Sequence, residues 1–399
     1  GRTPHWGAGR PLRSGRARRP LDWPVPLPLD LSYPAGGAQR HRATDMRRAG
    51  PLPSKFPPQP AGQRYPVKAQ TLPNWIQRQL KSLLAQRGHA WLLQGPSGLG
   101  QYTLGLAMVR AWLCQHPTPA GACGACASCH AVDVRTHADL CVLMPETVML
   151  ERQWPLGEKA QAEIDDKKRK PSKEIRVDAM RDAIEFSQRT SASGRGKAIL
   201  VFPAERMNPV TANALLKTLE EPAGDVRFVL ASEAAQQLLP TIRSRCLAHA
   251  MVWPEPAEVL PWFDQQGIDA QQALTWLRAS GGRPDDAIAL ARSGQNATHW
   301  SQLPTAIARG DAAPLQGMSP VQVIGILHRL CHDMQLHQQG ASPRFFQSQD
   351  LPVAGPLMVL SQWGRDLSQA TRTMEHPFNP GLMIEALLSQ AKIALNSKG

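Results

Sequence analysis

Two clusters of residues have the types and spacing to do chemistry. Cys114, Cys123, Cys126 and Cys129 form C-x8-C-x2-C-x2-C within "CQHPTPAGACGACASCHAVD". Two-residue gaps let successive thiolates turn inward around one ion, and four sulfurs suit tetrahedral Zn²⁺. Gly121, Gly124, Ala125, Ala127 and Ser128 leave the backbone room to wrap. A four-sulfur set has no open ligand position, so the pattern predicts a structural Zn²⁺ and not a hydrolytic one. Redox use of one C-x-x-C is the competing reading, and a disulfide pair the plainest. His130, beside Cys129, has the chemistry to ligate but is not needed. Cys141, Cys246 and Cys331 stand apart and read as ordinary buried thiols.

The second cluster is "GPSGLGQY" at 95–102. A phosphate-binding loop reads G-x-x-x-x-G-K-[ST]: glycines admit backbone N–H groups to phosphate, lysine neutralises charge and a hydroxyl holds Mg²⁺. Gly95 and Gly100 keep that spacing, but Gln101 replaces the lysine and Tyr102 the hydroxyl. The loop's scaffold is present and its chemistry is not.

The elements around the loop are those it requires. "LPNWIQRQLKSLLAQRG" places Trp75, Ile76, Leu80, Leu83 and Leu84 at helical spacing and ends at Gly88. "HAWLLQ" (89–94) reads as a buried strand, and "TLGLAMVRAWLC" after the loop is again helical. Beyond the cysteines, 150–174 is polar and reads as a loop insertion, with "KKRK" (167–170) as a solvated run or a phosphate contact. "IRVDAMRDAIEFSQRT" is helical, "KAILVF" (197–202) a strand, "PVTANALLKTLEEP" (209–222) a helix stopped by Pro222, and "DVRFVLAS" (225–232) a strand. This alternation predicts a parallel sheet with helices on both faces. After about residue 250 strands give way to helical patterns, with "MVWPEP" (251–256) as a linker and "GGRPDD" (281–286) as a break.

Composition sets limits. The 399 residues carry a net charge of +13, but residues 1–63 alone hold 11 Arg/Lys against 3 Asp/Glu. What remains is 34 basic against 29 acidic residues, so the folding part is only mildly basic. The first 63 residues also hold 12 of the 36 prolines and no apolar period, which predicts a disordered tail. Met46 is a plausible internal start. No apolar run approaches the ~18 residues of a membrane span, and the tail has no secretory h-region. The expected setting is cytoplasmic.

In order, the degenerate loop, the helix, the four-Cys module, "NALLKTLEEP" (213–222) and "TIRSRC" (241–246) resemble the AAA+ clamp-loader family of bacterial DNA polymerase III. The resemblance spans about 64–399, and "HPFNPGLMIEALL" (376–388) resembles the end of one non-ATPase member. It implies an α/β AAA+ domain over 64–250 with the zinc module at 114–129, a small helical lid at 251–297 and an all-α collar at 298–399. ATPase members, gamma and tau, keep an Asp-Glu pair after a core strand. Here Phe202 and Pro203 occupy those positions, with Glu205 the nearest acid. Lysine, hydroxyl and carboxylate are needed together for Mg·ATP, so the resemblance implies a subunit that binds no ATP and has no ATPase or polymerase site of its own.

It further implies that Arg245 of "SRC" is an arginine finger acting in trans, while Arg243 nearby has no role. Asn213, Lys217, Glu220 and Glu221 read as packing and interface positions without chemistry. In the lid, Arg283 is followed by Pro284 and two acids, where ATPase relatives place a basic residue on the nucleotide. The implied partners are gamma/tau and delta subunits in a hetero-pentameric ring, and through it the sliding clamp and primed DNA; no membrane is involved. Two rivals remain: an active gamma/tau-type ATPase with unconventional residues, and a zinc-dependent nucleic-acid-binding module. Against the second, residues 114–130 contain no Lys, Arg or aromatic residue.

Overall fold

Short apolar runs alternating with amphipathic helices assemble into a parallel sheet, because neither element can bury its apolar surface alone. The computed structural model describes residues 72–293, 296–353, 355–373 and 379–397. The tail at 1–63, Met46, the beginning of the 64–250 segment and the start of "HPFNPGLMIEALL" lie outside the described residues.

The chain runs α1 (Asn74–Leu84), β1 (Ala90–Gln94), α2 (Gln101–Leu113), α3 (Ala127–Asp133), β2 (Leu140–Leu143), α4 (Glu146–Glu151), α5 (Glu158–Asp165) and α6 (Val177–Gln188). It continues through β3 (Lys197–Val201), α7 (Pro209–Glu220), β4 (Val226–Ser232), α8 (Pro240–Arg243) and β5 (Leu247–Ala250). The remainder is helical: α9 (Pro256–Gln265), α10 (Ala270–Ala279), α11 (Pro284–Arg292), α12 (Ala297–Arg309), α13 (Pro320–Gln338), α14 (Leu357–Thr373) and α15 (Pro380–Asn396).

The strands order β2-β3-β4-β1-β5, and every pairing is parallel. Alternation along each strand sorts side chains between two cores. Trp91, Leu93, Ala198, Leu200, Val229 and Ala231 face one side with α1 and α2. Leu92, Ile199, Val201, Phe228 and Leu230 face the other, toward α6 and α7. With β1 an interior strand between β4 and β5, the 95–100 loop leaves the carboxyl end of the sheet, where open α/β folds place ligands. Among the described residues no helix is long and apolar enough to cross a membrane.

Three sequence expectations need correction. The 150–174 segment is not simply a loop: it contains α5, and Trp154 within it is buried. Within "KKRK", Arg169 is not part of a solvated run: it pairs with Glu146 at 2.5 Å and Glu163 at 2.7 Å, while Lys167, Lys168 and Lys170 are exposed. Of the three isolated cysteines only Cys331 is fully buried; Cys141 and Cys246 are half-buried. Burial nevertheless pushes all three thiols up to about 12. β2 and β5 also lay unread, being only four residues long, with β5 a largely exposed edge strand.

Candidate functional site

The cysteine module is built by the end of one helix and the start of the next. Cys114 follows α2 in an extended conformation, and Gly121 (φ +128°) and Gly124 (φ +74°) turn the chain back. Cys126 caps α3, its sulfur accepting from the Cys129 backbone N–H, and Cys129 lies one turn in. The Cys123 N–H likewise points at Cys114 Sγ, at 3.3 Å. The four sulfurs lie within 4.8 Å of one another, with Sγ–Sγ distances of 3.6, 3.8 and 4.0 Å for the 114–129, 114–126 and 123–129 pairs. A tetrahedron of Zn–S bonds has sulfur edges of about 3.8 Å, whereas a disulfide needs about 2.05 Å. The arrangement can therefore hold a metal ion and is not a bonded pair.

The loop has become a packing element. Gly98 (φ +81°) and Gly100 (φ +90°) keep the left-handed turns that launch α2. Gln101 is buried, and its Nε2 donates to the loop's own carbonyls at Gly95 (3.0 Å) and Pro96 (2.7 Å). Tyr102, in the hydroxyl position, packs against Phe202, in the acidic-pair position, with ring centroids 5.4 Å apart. The two positions that would share Mg²⁺ thus meet as an aromatic pair. Arg152 lies 4.3 Å above the Tyr102 ring, and Trp154 Nε1 donates to Tyr102 Oη at 2.7 Å. Arg152 and Trp154, at the start of the 150–174 segment, thus cover Tyr102.

From the opposite side, the first turn of α11 closes on the loop. The Asp285 N–H donates to Gly98 O at 3.0 Å, and Ser97 Oγ donates to the Asp286 carboxylate at 3.2 Å. A Cβ added to Gly98 would stand 2.6 Å from Asp286 Cγ. Ser97 Oγ is equally close to both carboxylate oxygens, and Arg283 Nε lies 2.8 Å from Oδ2. A carboxylate therefore stands beside a loop whose ordinary ligand in a phosphate-binding chain is an anion.

Glu205 and Glu233 complete an acidic group. Glu205 accepts from Ser232 Oγ at 2.7 Å and from the Glu233 N–H at 3.2 Å. Burial, then Glu205 and Asp286, raise the Glu233 carboxyl to about 7, with Arg152 opposing. Burial also raises Asp285 to about 6; Arg152 opposes this and Asp286 adds to it. Such a site repels further negative charge.

Arg245 lies apart from this group, just past α8, half-exposed, and bound to Glu220 at the end of α7. Arg243 is exposed. Asn213, Lys217 and Glu220 are exposed along one side of α7, at i, i+4 and i+7. Sequence reasoning missed Arg152, Trp154, Glu233 and the pairing of Glu220. Asp285 and Asp286 were visible only as an unusual follow-on to Arg283.

A family profile described as "DNA polymerase III, delta subunit" matches residues 71–252. Over this part the chain is similar to the DNA polymerase III delta-prime subunits. It is 40% identical over 202 residues to DNA polymerase III subunit delta' of Pseudomonas aeruginosa, covering 50% of this chain and 55% of that one. It is 33% identical over 222 residues to the Escherichia coli subunit delta', covering 54% and 60%. The chain thus matches somewhat over half the length of these relatives. A gamma subunit-related protein of Thermotoga maritima aligns at a TM-score of 0.41 and 15% identity, over 80% of this chain and 99% of that one.

Proposed function

We propose that this chain is a non-catalytic subunit of a DNA polymerase III clamp loader, helping to load the sliding clamp onto primed DNA. The observation that carries the reading is the loop itself. Gln101 satisfies the loop's carbonyls, Tyr102 and Phe202 fill the metal-ligand positions, and Asp285 and Asp286 close on it from α11. ATP would have to displace three sets of groups, one of them, the aspartate pair, carrying its own sign of charge. On this reading 64–250 is the AAA+ domain, 251–297 the lid and 298–399 the collar that joins the ring with gamma/tau and delta neighbours.

Arg245 acts in trans. A fixed guanidinium stabilises charge spread over the oxygens of a transferring phosphoryl group in the neighbour's site. Cys114, Cys123, Cys126 and Cys129 hold one Zn²⁺, which cross-links the module and, being four-coordinate, supplies no reactive position. The sulfur edges support that assignment, and the N–H groups of Cys123 and Cys129 help keep the thiolates charged.

The test is a reconstituted ring with primed DNA and clamp, comparing wild type, Arg245→Ala and Arg243→Ala in single-turnover hydrolysis. Arg245→Ala is expected to slow the one interface it serves by ~10³-fold or more, with assembly intact and Arg243→Ala unchanged. Equal rates for all three would remove the finger. Tight ATP binding by the isolated chain would remove the non-catalytic reading.

A further inference from the structure

Arg245 does not hang free in solvent. Its Nε donates to Glu220 Oε1 at 2.6 Å, and Nη2 donates to the same oxygen. On the other side Nη1 donates to the Thr241 carbonyl at 2.8 Å and lies 3.4 Å from Ser244 Oγ. A guanidinium carries five N–H donors in one plane. The Nε–Nη2 edge is held within the chain, and these four bonds leave at least one terminal N–H for an outside acceptor. Glu220 is a firm support, because it ends a helix whose Thr211, Leu215 and Leu219 are buried in the core.

We infer that Glu220 is a positioning residue for Arg245: it grips the Nε–Nη2 edge of the guanidinium and leaves a terminal N–H for a phosphate held by a neighbour. The inference rests on the reading of Arg245 as a finger acting in trans. Its physical basis is entropy and orientation. A half-exposed arginine samples many rotamers, and each must be surrendered before it can meet a transition state. A carboxylate on one edge and a carbonyl on the other surrender them in advance. If Glu220 were instead a competitor that withholds the arginine, its removal would speed hydrolysis.

The experiment uses the reconstituted ring with MgATP, clamp and primed DNA, and measures rate against ATP concentration. The variants are Glu220→Ala, Glu220→Gln, Arg245→Ala and Arg245→Ala/Glu220→Ala. Glu220→Ala is expected to lower the single-turnover rate at saturating ATP about three- to fivefold, the scale of one exposed ion pair. The half-saturating ATP concentration stays unchanged, and Glu220→Gln, which keeps the acceptor oxygen, recovers part of the loss. In the Arg245→Ala background Glu220→Ala adds nothing, since its effect runs through the arginine.

A rate for Glu220→Ala equal to or above wild type overturns the inference, as does an equal loss with or without Arg245. Should the alanine variant fail to assemble, Glu220→Gln against the Arg245→Ala background decides by the same criterion. If Arg245→Ala itself hydrolyses like wild type, the finger falls and takes this inference with it. If Arg245→Ala is slow and both Glu220 variants are normal, only the inference falls.

Discussion

Glu233 is the place where the acidic group can be made to report on itself. Its carboxyl stands at about 7 in the folded chain against an ordinary 4.5, with burial as the largest cause and Glu205 and Asp286 adding to it. Asp285 adds a smaller repulsion, and Arg152 is the cation that opposes the shift. Between those two values the folded state binds more protons than the unfolded state. Stability therefore falls as pH rises from about 4.5 through 7, and levels off above. The full shift of about 2.5 pH units corresponds to ~3.4 kcal/mol. Glu233 is only half-buried, so solvent screening brings the working figure to ~1–2 kcal/mol.

Glu233→Gln keeps the shape and removes the charge. The variant should be more stable than wild type by that ~1–2 kcal/mol at pH 8 and nearly equal to it at pH 5, where wild-type Glu233 is already protonated in the folded chain. Urea unfolding at both pH values measures the difference. The slope against denaturant should stay the same, since neither state changes its buried area. A variant less stable at pH 8, or stabilised equally at both pH values, would show that Glu233 is not held against like charge. The closed acidic site would then be wrong as described.

Other outcomes follow from the same geometry. Gln101→Lys alone should not restore ATP binding, by calorimetry at millimolar nucleotide, because Tyr102–Phe202 and Asp286 remain in place. Gly98→Ala should destabilise by roughly 1–3 kcal/mol, since alanine disfavours φ +81° and its Cβ would meet Asp286. The isolated chain should carry one zinc per molecule by metal analysis, and Cys114→Ser should lower that stoichiometry and lower the melting temperature. Asp139 is buried, which works against its charge, but hydrogen bonds from Ser193, Ala192 and Ser191 hold its carboxyl down to about 2. Its contribution should be present above pH 4 and be lost as pH falls toward 2. Asp139→Ala should cost ~3–5 kcal/mol, because Lys197 at 3.6 Å is left buried without its partner.

What the sequence disclosed and what it hid divide along a physical line. The cysteine module was legible because all four ligands lie within sixteen residues and metal geometry constrains their spacing. The sheet was legible where strands are long and buried, as in "KAILV" and "VRFVLAS", and not at β2 and β5, where four residues carry too little pattern. The loss of loop chemistry could be read residue by residue. What replaced it could not, because Tyr102 and Phe202 are a hundred residues apart, and Ser97 and Asp286 nearly twice that. Glu220 looked like a packing residue for the same reason: its partner lies twenty-five positions away, beyond β4.

Those distant contacts also account for a loop that keeps its glycines after losing its lysine. Once Asp286 sits beside Gly98 and the Asp285 N–H holds the Gly98 carbonyl, the turn is required by packing and not by phosphate. Gly100 is fixed in the same way, since a Cβ there would stand 2.9 Å from Ile76 of α1. The glycines join the sheet to the helices that follow it without a nucleotide between them. The Asp285 N–H and the Ser97–Asp286 bond join the loop to α11 directly. On the proposed function, a subunit so built holds one geometry while its neighbours cycle, and Arg245 meets their phosphates from a fixed base.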